Sequence, residues 1–326
     1  MRIVIIGAGA AGLACGRALA RAGCNVRLID KGRGPAGRLA SRRIETPQGE
    51  AVLDLGTQSF TARGVDFRTE VRRWADAGVV APWPPAGPDA WVGVPAMNAV
   101  VRALAQDLEV RWSTRATGLA RANGGWIVTT EAGLSLAADA VVVALPAEQA
   151  AELLRTEAPV LSALAGGAPS QPCWTALLTF ADRADLADVL HGRPGSPVEL
   201  AMRNRAKPGR DGPESWVVHA TPAWSQACLE REPAEAAALL LDALAAMATG
   251  PLPPTLTAGA HRWRYGRAGG EDAGLLWHAS ERLGVCGDWC GGGDLEGAWQ
   301  SGVRLAAAVL ENVSQAATLR AFGSGG

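Results

Sequence analysis

The first thirty residues restrict the possible folds of this chain more strongly than any later stretch. Residues 3–6 form a short, uninterrupted β-branched run, and residues 7–12 read Gly-Ala-Gly-Ala-Ala-Gly directly after it. Such a run is typical of a strand buried on both faces of a parallel sheet. A helical stretch to Arg21 and a second apolar run ending at Asp30 follow. This order predicts a strand, a tight turn, a helix and a second strand, with the glycines at the turn.

The spacing of these glycines predicts a dinucleotide site. Gly7 permits the tight turn, Gly9 lets the backbone approach a pyrophosphate, and Gly12 lets the helix pack closely on the strand. Phosphates would then lie at the positive end of the helix. Asp30 ends the second strand, where a carboxylate can accept hydrogen bonds from both hydroxyls of an adenosine ribose. The alternative, a glycine-rich turn without a ligand, is disfavoured because strand, helix and terminal acid are all in register.

Composition limits the classes of protein that remain. The chain has 326 residues, 48% of them hydrophobic and 19% charged, with a net charge of −1. This length suffices for two domains that share a large core. The sequence contains no basic block and no basic patch interleaved with aromatic residues, which argues against nucleic acid as a partner. It has no charged leader and no apolar run as long as a membrane span, so we expect a cytoplasmic protein without a membrane partner.

The six cysteines are scattered without metal-ligand spacing. Reduced structural thiols are therefore expected, and no metal site is predicted. Cys286 and Cys290 are the only close pair, and without neighbouring histidines they would make a poor metal site. A redox or flavin-linking role for either thiol is the alternative.

A glycine-rich, basic loop follows Asp30 and contains Lys31, Arg33, Gly37 and Arg38. A solvated charged loop is the ordinary interpretation of such a segment. Its position beside the predicted pyrophosphate site favours phosphate binding instead, because an arginine can pair with phosphate bidentately.

The corner of residues 56–61 is a second predicted ligand-binding segment. Residues 51–55 read as a strand that ends in Gly56, and Gln58, Ser59, Phe60 and Thr61 follow. Ligands of α/β sheets bind at the carboxyl ends of strands. We therefore expect residues 58–61 to face the reactive part of the cofactor.

The arrangement of elements along the chain predicts an α/β fold with a discontinuous Rossmann-like FAD-binding domain of the glutathione-reductase type and an inserted α+β substrate domain. Residues 140–146 form another fully apolar strand. Several strands and a long helix over residues 233–248 follow, which indicates an antiparallel sheet covered by helices. The predicted FAD-binding domain comprises residues 1–60, 92–146 and 278–313. The substrate domain comprises 61–91 and 147–277, and residues 314–326 are predicted to be a flexible tail.

The discontinuity favours FAD over NAD as the tightly bound nucleotide. A terminal strand ends in Gly287 and Asp288, and the last helix begins near Gly297 and Ala298. This order would place Asp288 near the ribitol and the helix amides near the flavin O2 side, where negative charge develops on reduction.

Several longer motifs carry a family likeness. They are Gly-Arg-Leu-Ala-Ser-Arg at 37–42, Asp-Leu-Gly-Thr-Gln-Ser-Phe-Thr-Ala-Arg at 54–63, Trp-Val-Gly at 91–93, Arg-Asn-Arg-Ala-Lys-Pro at 203–208, His-Ala-Thr at 219–221, His-Arg-Trp-Arg-Tyr at 261–265, Cys-Gly-Asp-Trp-Cys at 286–290 and Glu-Gly-Ala-Trp at 296–299. In these motifs the chain resembles the bacterial renalases, over nearly its whole length. The resemblance implies a non-covalent FAD enzyme that oxidises the 2- or 6-dihydro isomers of NAD(P) to β-NAD(P) and passes the electrons to O2, which forms H2O2. Ser59 departs from the tyrosine usual in bacterial members, so an aromatic wall is missing there.

The site residues follow from the motifs and the resemblance together. The predicted cofactor-binding residues are Gly7, Gly9, Ala11, Gly12, Asp30, Lys31, Arg33, Gly37, Arg38, Gly56, Gln58, Ser59, Ala116, Asp288, Glu296, Gly297 and Ala298. The predicted substrate-facing residues are Gln58, Ser59, Phe60, Thr61, Trp91, Val92, Gly93, Asn204, Arg205, His219, Trp289 and Asp294. No general base is assigned, because a dihydropyridine that gives up a hydride becomes aromatic and needs only stacking and exclusion of water.

Alternatives remain at this point. Phe60, Trp91, Trp289 and Trp299 are candidate stacking surfaces or ordinary core residues, and His219 and His261 could be structural. A flavin amine oxidase is a second possible function, although such enzymes typically hold a water with a lysine, and the chain has only Lys31 and Lys207. A flavin-binding redox sensor without turnover is a third. The sequence does not assign the oligomeric state, the dihydro isomer or the preference for NAD or NADP.

Overall fold

The structure, a computed structural model, describes residues 1–269, 272 and 274–323, without the side chains beyond residue 312. The chain divides into two compact units. Unit 1 comprises Met1–Gly37, Leu104–Pro169 and Ala268–Gly326, and unit 2 comprises Arg38–Ala103 and Ser170–Arg267.

The described residues form strands and helices that we number in chain order. The strands are β1 (Arg2–Ile6), β2 (Asn25–Ile29), β3 (Ser41–Thr46), β4 (Gly49–Asp54), β5 (Val80–Pro82), β6 (Trp91–Gly93), β7 (Glu109–Arg111), β8 (Ala116–Ala122), β9 (Gly125–Thr130), β10 (Ser135–Ala138), β11 (Ala140–Val143), β12 (Gln171–Phe180), β13 (Val189–His191), β14 (Val198–Arg203), β15 (Glu214–Ala220), β16 (Thr255–Arg267), β17 (Leu276–His278) and β18 (Leu283–Val285). The α-helices are α1 (Ala10–Arg21), α2 (Val65–Asp76), α3 (Ala99–Ala105), α4 (Ala147–Leu154), α5 (Pro159–Gly166), α6 (Pro222–Ala227), α7 (Pro233–Ala245) and α8 (Leu295–Gly323).

Unit 1 is built on a sheet with the strand order β17-β18-β11-β1-β2-β7. Its central strand β1 pairs in parallel with β11 and with β2, so that Ile5 lies between Val142 and Leu28. Ile5 and its neighbours on β1 are buried, as the uninterrupted apolar run predicts. The mixed α/β fold with a Rossmann-like unit is therefore confirmed.

The last helix, α8, packs closely against α1. A Cβ added to Gly302 would lie 2.2 Å from the carbonyl oxygen of Ala11, so only a glycine permits this approach. Helix α8 continues to Gly323, past residue 314, where the flexible tail was predicted to begin. This stretch consists of residues that a helix accommodates, and Gly323 is the first glycine after residue 302. The prediction for residues 324–326 lies outside the described residues.

Unit 2 contains an antiparallel sheet with the order β13-β14-β15-β12-β16. Side chains alternate across its central strand β12. Trp174 on one face packs with α7 residues such as Leu240, whereas Leu177 on the other face packs with Leu53 and Leu55, at and just beyond the end of β4.

These contacts move the predicted domain boundaries. Residues 38–60 lie in unit 2, not in the FAD-binding domain, because the β3–β4 hairpin completes the core around Leu177. Residues 92–103 also lie in unit 2, where β6 pairs with β5. Conversely, residues 147–169 lie in unit 1, since α4 buries Ala150 and Leu154 in the core that contains β1 and β11.

A search of the described helices finds none that is both long and apolar enough to cross a membrane.

Candidate functional site

The turn between β1 and α1 in unit 1 has the geometry of a phosphate cradle. Gly7 has φ +105°, and a Cβ there would lie 2.2 Å from the carbonyl oxygen of Ala144. A Cβ on Gly12 would lie 2.0 Å from the carbonyl oxygen of Gly7. At Gly9, by contrast, an added Cβ meets nothing within 4 Å. Gly7 and Gly12 are therefore required by the fold, whereas Gly9 borders open space at the N-terminus of α1, where a pyrophosphate fits.

The Asp30 carboxylate is fixed at the end of β2. Its Oδ2 accepts a hydrogen bond from the Ala8 amide at 2.7 Å, and its Oδ1 accepts one from the Gly32 amide at 2.6 Å. Each carboxylate oxygen can accept a second bond, so the group can still receive two ribose hydroxyls.

The loop after Asp30 comes back to the glycine turn. The ideal Cβ position of Gly37 is 3.8 Å from the Cα of Gly9. Lys31 and Arg33 on this loop are exposed, and Lys31 Nζ lies 3.3 Å from Gln149 Oε1. Gly37 and the glycine turn are thus brought together.

The segment after β18 was predicted to supply a second part of the nucleotide site, and it lies in unit 1. Ser301 accepts a hydrogen bond from the Gly287 amide and donates one to the Gly287 carbonyl oxygen, which ties this segment to α8. The neighbouring Asp288 is buried and accepts from the Trp289 amide. Asp294 Oδ1 accepts from the Gly297 amide at 2.8 Å, which caps the start of α8.

The remaining predicted residues of unit 1 lie in three places. Glu296, Gly297 and Ala298 lie in the first turn of α8, where a helix N-terminus favours negative charge. Trp289, predicted to face substrate, instead lies in the core and donates from Nε1 to the Leu145 carbonyl oxygen at 3.1 Å. Ala116 begins β8.

Unit 2 contains a buried charge cluster at the end of β4. Asp54 Oδ2 accepts from Lys207 Nζ at 3.1 Å and from Arg210 Nη2 at 2.6 Å, and at most 1% of each of the three side chains is exposed. Asp54 Oδ1 also accepts from the Met97 amide at 2.9 Å. Arg210 Nη1 donates to the carbonyl oxygens of Gly93 and Pro208. We call Asp54, Lys207 and Arg210 the cation cluster.

Within this cluster, burial and the attraction between opposite charges shift the pKa values of Asp54 and Lys207 in opposite directions. Burial would raise the pKa of Asp54, but Lys207 and Arg210 hold it below its usual value. Burial lowers the pKa of Lys207 to about 8, against the raising influence of Asp54. At neutral pH Asp54 is therefore ionised and Lys207 is mainly protonated.

Gln58 connects the cluster to the corner of residues 56–59. Its Oε1 accepts from Lys207 Nζ at 2.9 Å, and its Nε2 donates to the carbonyl oxygens of Asp54 at 2.7 Å and Gly56 at 3.0 Å. Because lysine can only donate and carbonyls can only accept, these bonds fix the orientation of the amide. The Gln58 side chain thus makes these bonds within unit 2.

His219 is a neutral acceptor in this network. Its Nε2 lies 3.3 Å from Gln58 Nε2, which can only donate and whose two hydrogens are shared between this contact and the carbonyl oxygens of Asp54 and Gly56. We therefore assign the imidazole proton to Nδ1. The ring is densely surrounded, although part of its surface is exposed, and burial together with the charges of Arg267 and Lys207 lowers its pKa to about 3. His219 is therefore neutral throughout the physiological range.

Two further predicted substrate residues have their side chains engaged within unit 2. Asn204 is fully buried, and it donates to the Val52 carbonyl oxygen at 2.7 Å and accepts from the Asp54 amide at 3.3 Å. Arg205 donates to the carbonyl oxygens of Gly212 and Arg210. Both residues hold loops in place.

The aromatic residues of the corner are joined by backbone pairing. The Phe60 amide donates to the Trp91 carbonyl oxygen at 2.9 Å, and the Trp91 amide donates back at 2.8 Å. Phe60, Val92 and Gly93 are buried, Trp91 and Ser59 are half-buried, and Thr61 is exposed. Trp91 is thus a predicted stacking residue with an accessible surface.

The backbone of Arg38 also belongs to this corner. Its carbonyl oxygen accepts from the Thr57 amide at 2.9 Å and would lie 2.1 Å from a Cβ on Gly56. The three predicted residues Arg38, Gly56 and Gln58 are therefore neighbours.

Asp54 and Arg210 are absent from the predicted site. Lys207 was considered only as one of the two lysines of the chain and was not assigned a place in the site. A weak signal existed, because Asp54 ends an apolar strand and Lys-Pro-Gly-Arg at 207–210 is unusually basic. Loop charges are ordinarily solvated, so the sequence gives no reason to pair residues so distant in the chain.

The cysteines behave as structural thiols. Cys15, Cys286 and Cys290 are buried in unit 1. A hydrogen bond with Cys15, together with burial, raises the pKa of Cys286, and burial also raises that of Cys290. Within the part of the chain that the structure describes, no group of metal-ligating residues is present.

The β1–α1–β2 unit, its glycine cradle and the fixed Asp30 define a Rossmann-like dinucleotide-binding protein, and the NAD(P)-binding Rossmann-like domain family matches residues 5–77. A second family, described as flavin containing amine oxidoreductase, matches residues 85–310, more than half of the chain. The chain belongs to this flavin containing amine oxidoreductase family. Its cofactor is FAD, and the predicted residues of the glycine cradle fit that group.

Two solved structures have the same fold. Cyclohexylamine oxidase from Brevibacterium oxydans is 13% identical with a TM-score of 0.72, over 96% of this chain and 99% of that chain. A putrescine oxidase bound to putrescine is 14% identical with a TM-score of 0.67, over 95% of this chain and 99% of that chain. At these identities the likeness concerns the fold alone.

Proposed function

We propose that this flavin oxidoreductase is a renalase-type oxidase. Its substrates are dihydro-NAD(P) isomers reduced at ring carbon 2 or 6. The isomer gives up a hydride, which carries two electrons and one proton, and becomes β-NAD(P). O2 takes up these two electrons and this proton, together with one proton from solution, and becomes H2O2. The renalase-like motifs, which extend over nearly the whole sequence, support this substrate class.

The observation that carries the proposal is the engagement of Lys207. It is the only lysine of unit 2, its side chain is fully buried, and it bonds to Asp54 and Gln58. A lysine held in this way is poorly suited to hold a water for amine oxidation. His219, with its low pKa and its bond to Gln58, is an equally poor proton acceptor at neutral pH.

Oxidation of a dihydropyridine suits these surroundings. A monoamine is protonated at neutral pH and must lose a proton before it is oxidised, whereas a dihydropyridine becomes aromatic on losing hydride alone. FAD supplies the hydride acceptor when bound. The work of the protein is then to stack the ring, a role that we propose for the half-buried Trp91, and to exclude water.

A flavin amine oxidase is the second candidate. The family match and the names of the two similar structures favour it. A redox sensor without turnover is a third possibility that the family does not favour. The cytoplasmic location stays a prediction. The proposal does not assign the dihydro isomer, the choice between NAD and NADP, or the consequence of Ser59.

An aerobic turnover experiment tests the proposal. The holoenzyme is incubated with each dihydro-NAD(P) isomer and, separately, with monoamines and diamines, and the products are analysed. We expect one β-NAD(P) and one H2O2 for each isomer molecule consumed. Ammonia and peroxide from an amine, with no β-NAD(P) from any isomer, would establish the amine oxidase instead, and no turnover of either class would favour the sensor.

A further inference from the structure

Arg42 of β3 lies on the side of the β3–β4 hairpin that faces the core of unit 2. It pairs in register with Leu53 of β4, and paired residues of antiparallel strands share one face. Leu53 belongs to the core around Leu177. Arg42 itself is exposed, so its guanidinium stands at the rim of this core.

The contact that orients Arg42 is with a neutral ring. Its Nη2 lies 3.5 Å from Nδ1 of His261 on β16. An arginine can only donate, so this nitrogen of His261 accepts and carries no proton. Burial, and secondly the charge of Arg42, lower the pKa of His261 below 6.5, so the ring is mainly neutral at pH 7. This contact therefore leaves the positive charge of Arg42 uncompensated.

The neighbouring arginines of unit 2 have carboxylate partners, whereas Arg42 has none among the residues that the structure describes. Arg43, the next residue of β3, lies 3.2 Å from Glu50, and Arg264 lies 2.7 Å from Glu230. A guanidinium presents several N–H groups in a rigid fork that matches the oxygens of a phosphate. Arg42 uses one of these groups on His261, and the others are available to an anion.

Aromatic side chains connect Arg42 to the corner of residues 56–59 within unit 2. The His261 ring packs edge-on against Trp263, with the ring centroids 4.5 Å apart. Trp263 Nε1 donates to the carbonyl oxygen of Leu55 at 3.2 Å, and Leu55 directly precedes Gly56. Both rings are half-buried. Arg42 therefore lies near the segment of unit 2 that the sequence predicts to face substrate.

We propose that Arg42, oriented by His261, binds a phosphate group of the dinucleotide substrate. The proposal rests on the renalase-type function, whose substrates carry a pyrophosphate, whereas a simple amine carries no anionic group. Arg42 is a binding residue in this account, and His261 is a positioning residue. The phosphates lie far from the ring carbon that loses the hydride, so the contact stabilises the bound substrate and the transition state equally. It therefore affects KM and leaves kcat unchanged.

The test compares two forms of the same dihydro isomer, the dinucleotide and the nicotinamide riboside, which has no phosphate. In the FAD-loaded enzyme, Arg42→Met should raise KM for the dinucleotide about tenfold, because a charge-assisted contact at a partly exposed site is lost. KM for the riboside should not change. Arg43→Met is the matched control, since it removes the same charge from the opposite side of the same strand, and both KM values should equal those of the wild type.

The role of His261 is tested by a pair of variants. His261→Leu removes the acceptor and should raise KM for the dinucleotide about threefold, because Arg42 is then less well oriented. His261→Gln keeps an acceptor for Arg42, and its KM should be close to that of the wild type. A purely structural role of the ring would alter KM for the riboside as well.

Binding of β-NAD to the oxidised holoenzyme provides a measurement that needs no turnover. Its dissociation constant should rise about tenfold in Arg42→Met and stay unchanged in Arg43→Met. Equal constants in these two variants, or an equal rise of KM for the riboside and the dinucleotide, would overturn the proposal. Loss of FAD from Arg42→Met with unchanged KM would overturn it in favour of a phosphate of the cofactor. If the wild type oxidises no dihydro isomer, the proposed function fails, and β-NAD binding alone decides this inference, which absence of binding would overturn.

Discussion

Replacement of Asp30 should affect both the stability of unit 1 and the affinity for FAD. Its two carboxylate oxygens accept from the Ala8 and Gly32 amides at 2.7 and 2.6 Å. Asp30→Ala removes both acceptors, and Asp30→Asn replaces one of them by a donor. We therefore expect Asp30→Ala to weaken the fold as well as the binding of FAD.

The magnitude follows from these two bonds. A hydrogen bond to a charged group contributes about 1.5–3 kcal/mol, so Asp30→Ala should lower the free energy of unfolding by about 3 kcal/mol and Asp30→Asn by about half as much, since the site is only partly buried. Loss of the ribose contact should weaken FAD binding by a further factor of about 10 to 100. Urea unfolding at fixed excess FAD and a titration of FAD into the stripped protein measure the two effects.

Asp139→Asn is the matched control. Asp139 also accepts from a backbone amide, that of Arg2, at 2.8 Å, but it lies just before β11 in the same sheet, with 34% of its side chain exposed. We expect a loss below about 1 kcal/mol and no change in FAD affinity. Wild-type stability and FAD affinity in Asp30→Ala would refute the assignment of this carboxylate to the nucleotide site.

Three further predictions concern the cradle, the cofactor and the pH dependence. Gly9→Ala should keep the fold, because its Cβ meets no protein atom within 4 Å, and should lose FAD affinity, because the Cβ would occupy the space predicted for the pyrophosphate. Gly12→Ala should unfold more easily, because its Cβ would lie 2.0 Å from a carbonyl oxygen. Circular dichroism and FAD titration distinguish the two variants, and equal effects would contradict the cradle. The protein should purify yellow and release its FAD on acid or heat precipitation, and flavin that stays in the pellet would contradict non-covalent binding. Folding lowers the pKa of His219 from 6.5 to about 3, so the unfolded chain binds one more proton than the folded chain between these pH values. The free energy of unfolding should therefore decrease as the pH falls from 6.5 towards 3. Urea unfolding at several pH values should show a shallower decrease in His219→Gln, and an unchanged slope would contradict the assignment of a neutral His219.

The nucleotide unit was predictable because its signal is local. Strand β1, the glycine turn, helix α1 and Asp30 follow one another within thirty residues, and each residue type suits its own place in the turn. Buried apolar strands such as β11 could be recognised for the same reason.

The cation cluster could not be predicted because its members meet only through tertiary structure. Asp54 and Lys207 are 153 residues apart, and nothing near either residue indicates that both are buried. The domain boundaries failed for a related reason, since the β3–β4 hairpin reads equally well as part of either unit until its contact with Leu177 is known. Strand β16 was not predicted, because its partly exposed residues mix polar and apolar types without clear alternation.

The most direct test of the proposed activity is anaerobic mixing of the oxidised enzyme with single candidate donors. Loss of the absorbance of oxidised FAD is followed for the 2- and 6-dihydro isomers of NAD(P), for the ordinary 4-dihydro form and for monoamines. The account predicts rapid bleaching by at least one isomer and slow or no bleaching by the 4-dihydro form and by amines, because a pocket that holds carbon 2 or 6 close to the hydride acceptor leaves carbon 4 too far away. Rapid bleaching by a monoamine, with none by any dihydro isomer, would contradict it.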